Sequence, residues 1–259
     1  MKVLALSVFI IILGVVLWNP LGSRGQKVLD EPTPVERGVT TAERREFSRE
    51  FRGIYGDILL KTLPELIAES EPRKEFISRI HYEPPYFMGS APESASAFLS
   101  KNTCKADAVV IARPTKKTAH LTDDERFIYT QYELTIEETV KDNSKAAITA
   151  GIKIQMARPG GFIRLDGQNV RFVDENVPQL ELEQSYLLFL RFVPNARGYM
   201  VADYDADFSL AGAYAKSIGK PGGVPAEIKQ SQISRLYLVS EVKNLATAGC
   251  GKQKPEVKL

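Results

Sequence analysis

Apolar positions change rhythm three times along this chain, and each rhythm predicts its own kind of element. From Val3 to Trp18 they run without charge, broken only by Ser7 and Gly14, led in by Lys2. Downstream of a polar stretch they recur at helical intervals: Phe47, Phe51, Ile54 and Ile58, with Thr40 and Glu43 at capping-box spacing ahead of them. The opposite face of that helix carries Arg44, Arg45, Arg49 and Arg52 interleaved with Glu46 and Glu50. An Arg-rich amphipathic helix beside an anchor suits anionic lipid, but the interspersed glutamates argue against such a face, and the helix is expected to pack on its own domain. A second helical piece is expected over Pro64–Arg79, and a loop rich in Pro, Ser and Ala from Tyr82 to Ser96.

After Cys104 the period drops to that of strands. Ala108–Ala112 reads as a short buried strand and Pro114–Glu125 as a polar loop. Ile128, Tyr132, Leu134, Ile136 and Val140 share one parity, which predicts a long strand with one wet face. Ile152, Ile154 and Met156 alternate again before a turn at Pro159-Gly160-Gly161. Asp166-Gly167 between Phe162–Leu165 and Val170–Val173 predicts a tight hairpin. Tyr186–Val193 is the most apolar strand, with Tyr199–Tyr204 as its hairpin partner. The end of the chain returns to helix: Pro225 suits a helix start, and Ile233, Leu236, Tyr237 and Val242 form an apolar stripe ending near Gly249. The fold class expected is mainly β with flanking helices (α+β), a small antiparallel β-barrel (OB-like) or sandwich, with an N-terminal helical stalk and a C-terminal helix. The segments implied are 1–25, 26–100 (linker and helical membrane-proximal region), 101–215 (β-barrel domain) and 216–259 (Gly/Pro loop, C-terminal helix and tail).

The first segment determines the compartment. A basic start followed by an apolar run is an export signal. As a helix, Val3–Trp18 would be about 24 Å long, slightly short of the hydrocarbon core of a bilayer. Asn19-Pro20 ends it, and Trp18 suits the membrane interface. Ser23-Arg24-Gly25 offers a mediocre cleavage site ahead of Gln26. Residues 1–25 are therefore a signal peptide or an uncleaved single-pass anchor, and no Cys follows that could carry a lipid. Either way the remainder is expected outside the cytoplasm, with residues 3–18 engaging the membrane.

Composition then narrows the function. The hydrophobic fraction is 44% and the charged fraction 25%, as in an ordinary globular domain. A net charge of +2 is too even for a dedicated nucleic-acid binder. The two cysteines, Cys104 and Cys250, read as one disulfide in an oxidising compartment. It would close a long loop, worth roughly 5 kcal/mol in the chain-entropy model.

The order of elements from Cys104-Lys105-Ala106-Asp107-Ala108, through the long strand Tyr129–Val140, to Tyr186–Leu190 resembles the small OB-type barrels of netrin-like domains (the kind found in tissue inhibitors of metalloproteinases). The resemblance spans Cys104–Leu210. It implies the fold and not the inhibitory mechanism, which needs an N-terminal cysteine amine; Cys104 is internal.

No arrangement names a reaction. The histidines, His81 and His120, sit in polar or proline-rich surroundings without G-x-S-x-G. Ser217-Ile218-Gly219-Lys220 matches S-x-x-K, but its Gly and Pro neighbours forbid the required helix, and the segment is not a phosphate loop. Glu137 and Glu138 would point to opposite faces of a strand. Asp203, Asp205 and Asp207, at i, i+2 and i+4, would share a strand face and are the candidate metal ligands. Tyr82, Tyr86 and Phe87 are candidates to dock on the barrel or to bind a ligand. The function expected is a non-enzymatic, exported envelope protein that binds another envelope protein or a glycan, without cofactor or nucleic acid. The alternatives are an exported hydrolase with an unrecognised site and a cation-dependent adhesion module.

Overall fold

Two mixed sheets share one chain, and the helices cover them. The computed structural model describes residues 31–35, 41–56, 58–70, 74–80, 94–143, 146–203, 206–219, 228 and 233–250. All of these fall within the unit Glu31–Leu259. The apolar run 3–18, His81, Tyr82, Tyr86, Phe87, Asp205, Lys220 and Pro225 lie outside the described residues. Among the described residues no helix is long and apolar enough to cross a membrane.

The helices are α1 (Ala42–Tyr55), α2 (Leu63–Glu69), α3 (Ala95–Lys105) and α4 (Arg235–Ala248). Each begins at a hydroxyl cap: Thr41, Thr62, Ser94 and Ser234 accept a hydrogen bond from the backbone N–H three residues on. Thr62 and Glu65 form a reciprocal capping box. The start of α1 is thus one residue later than Thr40 and Glu43 suggested.

The strands are β1 (Thr33–Pro34), β2 (Glu75–Ile80), β3 (Ala108–Leu121), β4 (Ile128–Asp142), β5 (Lys153–Pro159), β6 (Gly161–Leu165), β7 (Gln168–Asp174), β8 (Tyr186–Val193), β9 (Gly198–Val201), β10 (Phe208–Ser209) and β11 (Lys216–Ser217). The larger sheet has the order β11-β10-β8-β3-β4-β5-β9, and β9 also pairs with β8. The smaller has the order β1-β6-β7-β2. The mainly β expectation with flanking helices holds. The expectation of purely antiparallel pairing does not, because β1–β6, β2–β7 and β5–β9 are parallel.

Three local expectations are corrected. The loop expected over 114–125 shrinks to a turn after Leu121: β3 continues to Leu121, its polar residues lying across from Gln131, Tyr132 and Glu133 of β4 while Ala119 and Leu121 are buried. The second helix ends at Glu69, and Glu75–Ile80 is instead β2, alongside β7. Pro72 between them cannot continue a helix. Helix α3 replaces the end of the expected loop at Ser96, burying Phe98 and Leu99.

The core has three parts. On β3 and β8 alternate side chains go to opposite sides, and both sides are buried. Ala108, Val110, Ala112, Leu188 and Leu190 join Leu134, Ile136 and Met156. Val109, Ile111, Leu187 and Phe189 meet Phe98, Leu238 and Val242 of α3 and α4. The far end of the β3–β4 hairpin joins α1 and the smaller sheet. There Phe51 stacks 5.1 Å from Tyr129, Tyr55 4.4 Å from Phe127, and Phe127 meets Phe172 edge-on at 4.5 Å.

Two glycines set this geometry. Gly160, at φ +85°, lets the chain leave β5 and enter β6 of the other sheet; a Cβ there would lie 2.9 Å from the Phe172 carbonyl oxygen. Gly198 lets α1 come close, because a Cβ would lie 2.8 Å from Phe47 Cζ.

Candidate functional site

The residues singled out by the sequence fall in separate places. Cys104, at the end of α3, is bonded to Cys250 just past α4, with Cα atoms 5.4 Å apart. The bond fastens together the two helices that cover one side of the larger sheet.

Of the three aspartates, Asp203 and Asp207 are among the described residues, and each is engaged by a different cationic side chain. Asp207 is buried and paired with the equally buried Arg158, and its other oxygen accepts the Phe189 N–H at 3.0 Å. Burial pushes the Asp207 carboxyl up, opposed by the Arg158 charge and the Phe189 hydrogen bond. Asp203 accepts from Lys105 Nζ at 2.9 Å. Among the described residues no group of three or more His, Cys, Asp or Glu could hold a metal ion.

His120 lies in β3 with its ring centroid 5.4 Å from that of Tyr129. Burial, aided by the Arg44 charge and opposed by a hydrogen bond with Gln131, lowers its pKa to about 4. The ring is therefore neutral at pH 7. Burial likewise pushes the Tyr129 hydroxyl above its ordinary range. Ser217 sits in the two-residue β11 and not on a helix, so the geometry that an S-x-x-K enzyme needs is missing. Glu137 and Glu138 bind different cations, Arg113 at 3.4 Å and Lys243 at 2.5 Å, so they do not act as one acid–base pair.

What stands out at the surface is apolar. Backbone pairing holds residues 213–215 against the start of α4: Ala215 N–H donates to Ile233 O and Arg235 N–H to Ala213 O, each at 3.0 Å. Tyr214 therefore bridges to Ser234, immediately before Leu236 and Tyr237. These three are among the most exposed large apolar residues described, Leu236 at 82%, Tyr237 at 62% and Tyr214 at 52%. The stripe expected on this helix holds in part: Ile233 and Val242 pack inward beside Leu238 and Val239, whereas Leu236 and Tyr237 face out. Ser234 as N-cap was the available signal for the correct phase, and Pro225 concealed it. Neither 208–219 nor 233–240 contains a carboxylate; their charges are Lys216 and Arg235.

No known family model matches this chain, and no curated protein matches it.

Proposed function

We propose that this chain is an exported, membrane-tethered binding protein without catalytic activity, and that Tyr214, Leu236 and Tyr237 form its contact face for another envelope protein. The observation that carries the reading is the exposure of Leu236 and Tyr237 at the start of a helix whose next residues are buried. Tyrosine is enriched at protein interfaces, and apolar residues grouped on one surface mark interaction sites. The face lacks the carboxylates and amides with which a glycan site would read hydroxyl groups, which favours a protein partner. The Cys104–Cys250 bond supports an oxidising compartment, and the run 3–18 supplies the tether.

The finer fold reading belongs to the same proposal. Pairing runs β3–β4–β5–β9–β8 and returns from β8 to β3, with β5–β9 as the parallel step. This circuit of five strands supports an OB-type barrel, consistent with the netrin-like resemblance. Two alternatives gain no support. His120 has no carboxylate partner among its described contacts, which weakens the hydrolase reading. Asp203 and Asp207 are each engaged by a cationic side chain, which weakens the adhesion reading.

A photoreactive amino acid at position 236, introduced in the native envelope, tests the contact face. The expected result is a discrete adduct that is absent when the same residue is placed at Ala147, which is exposed elsewhere. Identical adducts from both positions, or none from 236, would overturn the assignment. Fractionation with thiol titration tests the compartment. Recovery in the membrane fraction with no free thiol is expected; a cytoplasmic product with two free thiols would refute it.

A further inference from the structure

Helix α1 sorts its charges in a way the sequence conceals. Its acidic side chains are engaged by the domain that carries it. Glu43 accepts from Gln131 Nε2 at 3.0 Å. Glu46 lies within 3.5 Å of Asn195 Nδ2, in the turn before β9, and 3.0 Å from Arg49. Glu50 is paired with Arg191 of β8 at 2.8 Å. Phe47, Phe51 and Tyr55 hold the inward face in the core. The outward face is left to Arg45, Arg49 and Arg52, at i, i+4 and i+7, all exposed. Arg49, with 64% of its side chain exposed, shares Glu46 in a surface pair that screens it weakly. The Arg/Glu interleaving that argues against a charged face in the sequence is resolved in three dimensions into inward-held acids and an outward line of guanidinium groups.

We infer that this arginine line docks on the phosphate headgroups of an anionic bilayer, so that the domain lies against the membrane with α1 facing it. Guanidinium groups suit phosphate because they offer paired donors in a fixed fork. A rise of 1.5 Å per residue spreads the three over about 10 Å of helix, so that they can meet one surface together. The inference rests on the membrane-tether reading for its proximity argument. Fully extended, the chain between Trp18 and the first described strand at Thr33 spans no more than roughly 50 Å. A domain on so short a tether meets the headgroup layer repeatedly, and charges attract it within a Debye length of the surface.

The experiment is arginine footprinting of the full-length chain with phenylglyoxal, read by mass spectrometry. The chain is bound either to phosphatidylcholine vesicles or to vesicles that also contain phosphatidylglycerol. Arg45, Arg49 and Arg52 should react at least roughly fivefold more slowly on the anionic vesicles, the population shift that one basic residue near an anionic surface supplies. High salt should restore the rate, and Arg164, exposed in β6, should react equally in both cases. A second arm uses R45Q/R49Q/R52Q, in which glutamine keeps helix propensity and an unchanged melting curve verifies the fold. This variant should lose the salt-sensitive gain in affinity for anionic over neutral vesicles, about 100-fold for three charges.

The outcomes separate the two readings. Stable binding to both vesicles with equal reactivity of the three arginines overturns the docking face and leaves the tether intact. Protection on anionic vesicles without any binding to neutral ones overturns the tether and leaves the docking face intact. Protection by polyglutamate but not by anionic vesicles assigns the face to an acidic protein and overturns the lipid assignment.

Discussion

At the scale of single residues, His120 shows how environment overrides identity. In the sequence it is a histidine in a polar stretch, indistinguishable from a solvated one. In the fold it lies in β3 against Tyr129 with Arg44 nearby, and its pKa falls to about 4 from an ordinary 6.5. Between those values the unfolded chain binds a proton that the folded chain refuses. Stability therefore rises with pH through this window and falls on acidification. The limit of the effect is about 3 kcal/mol, from the size of the shift. Denaturation midpoints measured from pH 7 to pH 4 should fall, and His120→Gln should flatten that part of the profile; an identical slope in the variant would refute the assignment. The Arg158–Asp207 pair was equally hidden. Asp207 is legible as one of three alternating aspartates, but its partner comes from β5, and no local signal announces a buried ion pair.

Among the elements, those with local punctuation were legible. The Asp166-Gly167 turn has both residues at positive φ, 50° and 82°, and joins β6 to β7 as its composition predicts. The β4 alternation and the apolar β8 also appear where they were expected. Strand β3 was cut short because its register shifts at three places against β4, near Val110, Ala112 and Lys116, and each shift breaks the alternation that a reader follows. Strand β2 has the local pattern of a helix because its parallel partner β7 is remote in the chain, and only that pairing makes it a strand.

Helix α3 begins where the sequence pattern suggests a loop, and a lysine from β4 holds its last turn. Lys141 of β4 donates to the Thr103 carbonyl at 2.7 Å and the Ala106 carbonyl at 2.6 Å, with the Cys104 carbonyl at 3.5 Å. An ammonium at a helix C-terminus satisfies orphan carbonyls and complements the dipole. Burial lowers the Lys141 pKa, opposed by Asp107. Lys141→Met should cost about 2 kcal/mol, seen as a lower urea midpoint at unchanged slope. A neutral result would mean that water replaces the ammonium at no cost.

Over the whole molecule, the disulfide and the core act on the same assembly. Leu238, Val239 and Val242 of α4 share a cluster with Phe98 and Leu99 of α3, and Cys104–Cys250 joins the ends of the two helices. The residues it links are 146 apart, so the chain-entropy model assigns it roughly 5 kcal/mol. In Cys104→Ser/Cys250→Ser the amides of α4 should exchange with solvent faster, while those of the β3–β4 hairpin keep most of their protection. Equal loss of protection in both would show that the helix and the sheet unfold only together. The pairing of the cysteines is legible from their number alone, whereas the proposed contact face at Tyr214 needs the structure, because backbone bonds between residues 213–215 and 233–235 assemble it.

The parallel pairing of β2 with β7 carries a consequence for biogenesis. A chain that is synthesised or translocated from its N-terminus delivers β2 long before β7 has emerged. Until then the segment Glu75–Ile80, with its outward Ile77, is a bare ribbon of donors and acceptors open to any passing strand. The nascent protein therefore passes through an interval of heightened adhesiveness, in which both edges of this ribbon are open, until the β6–β7 hairpin arrives and pairs one of them. A chaperone that shields this ribbon during that interval would raise the yield of native protein without touching the finished fold.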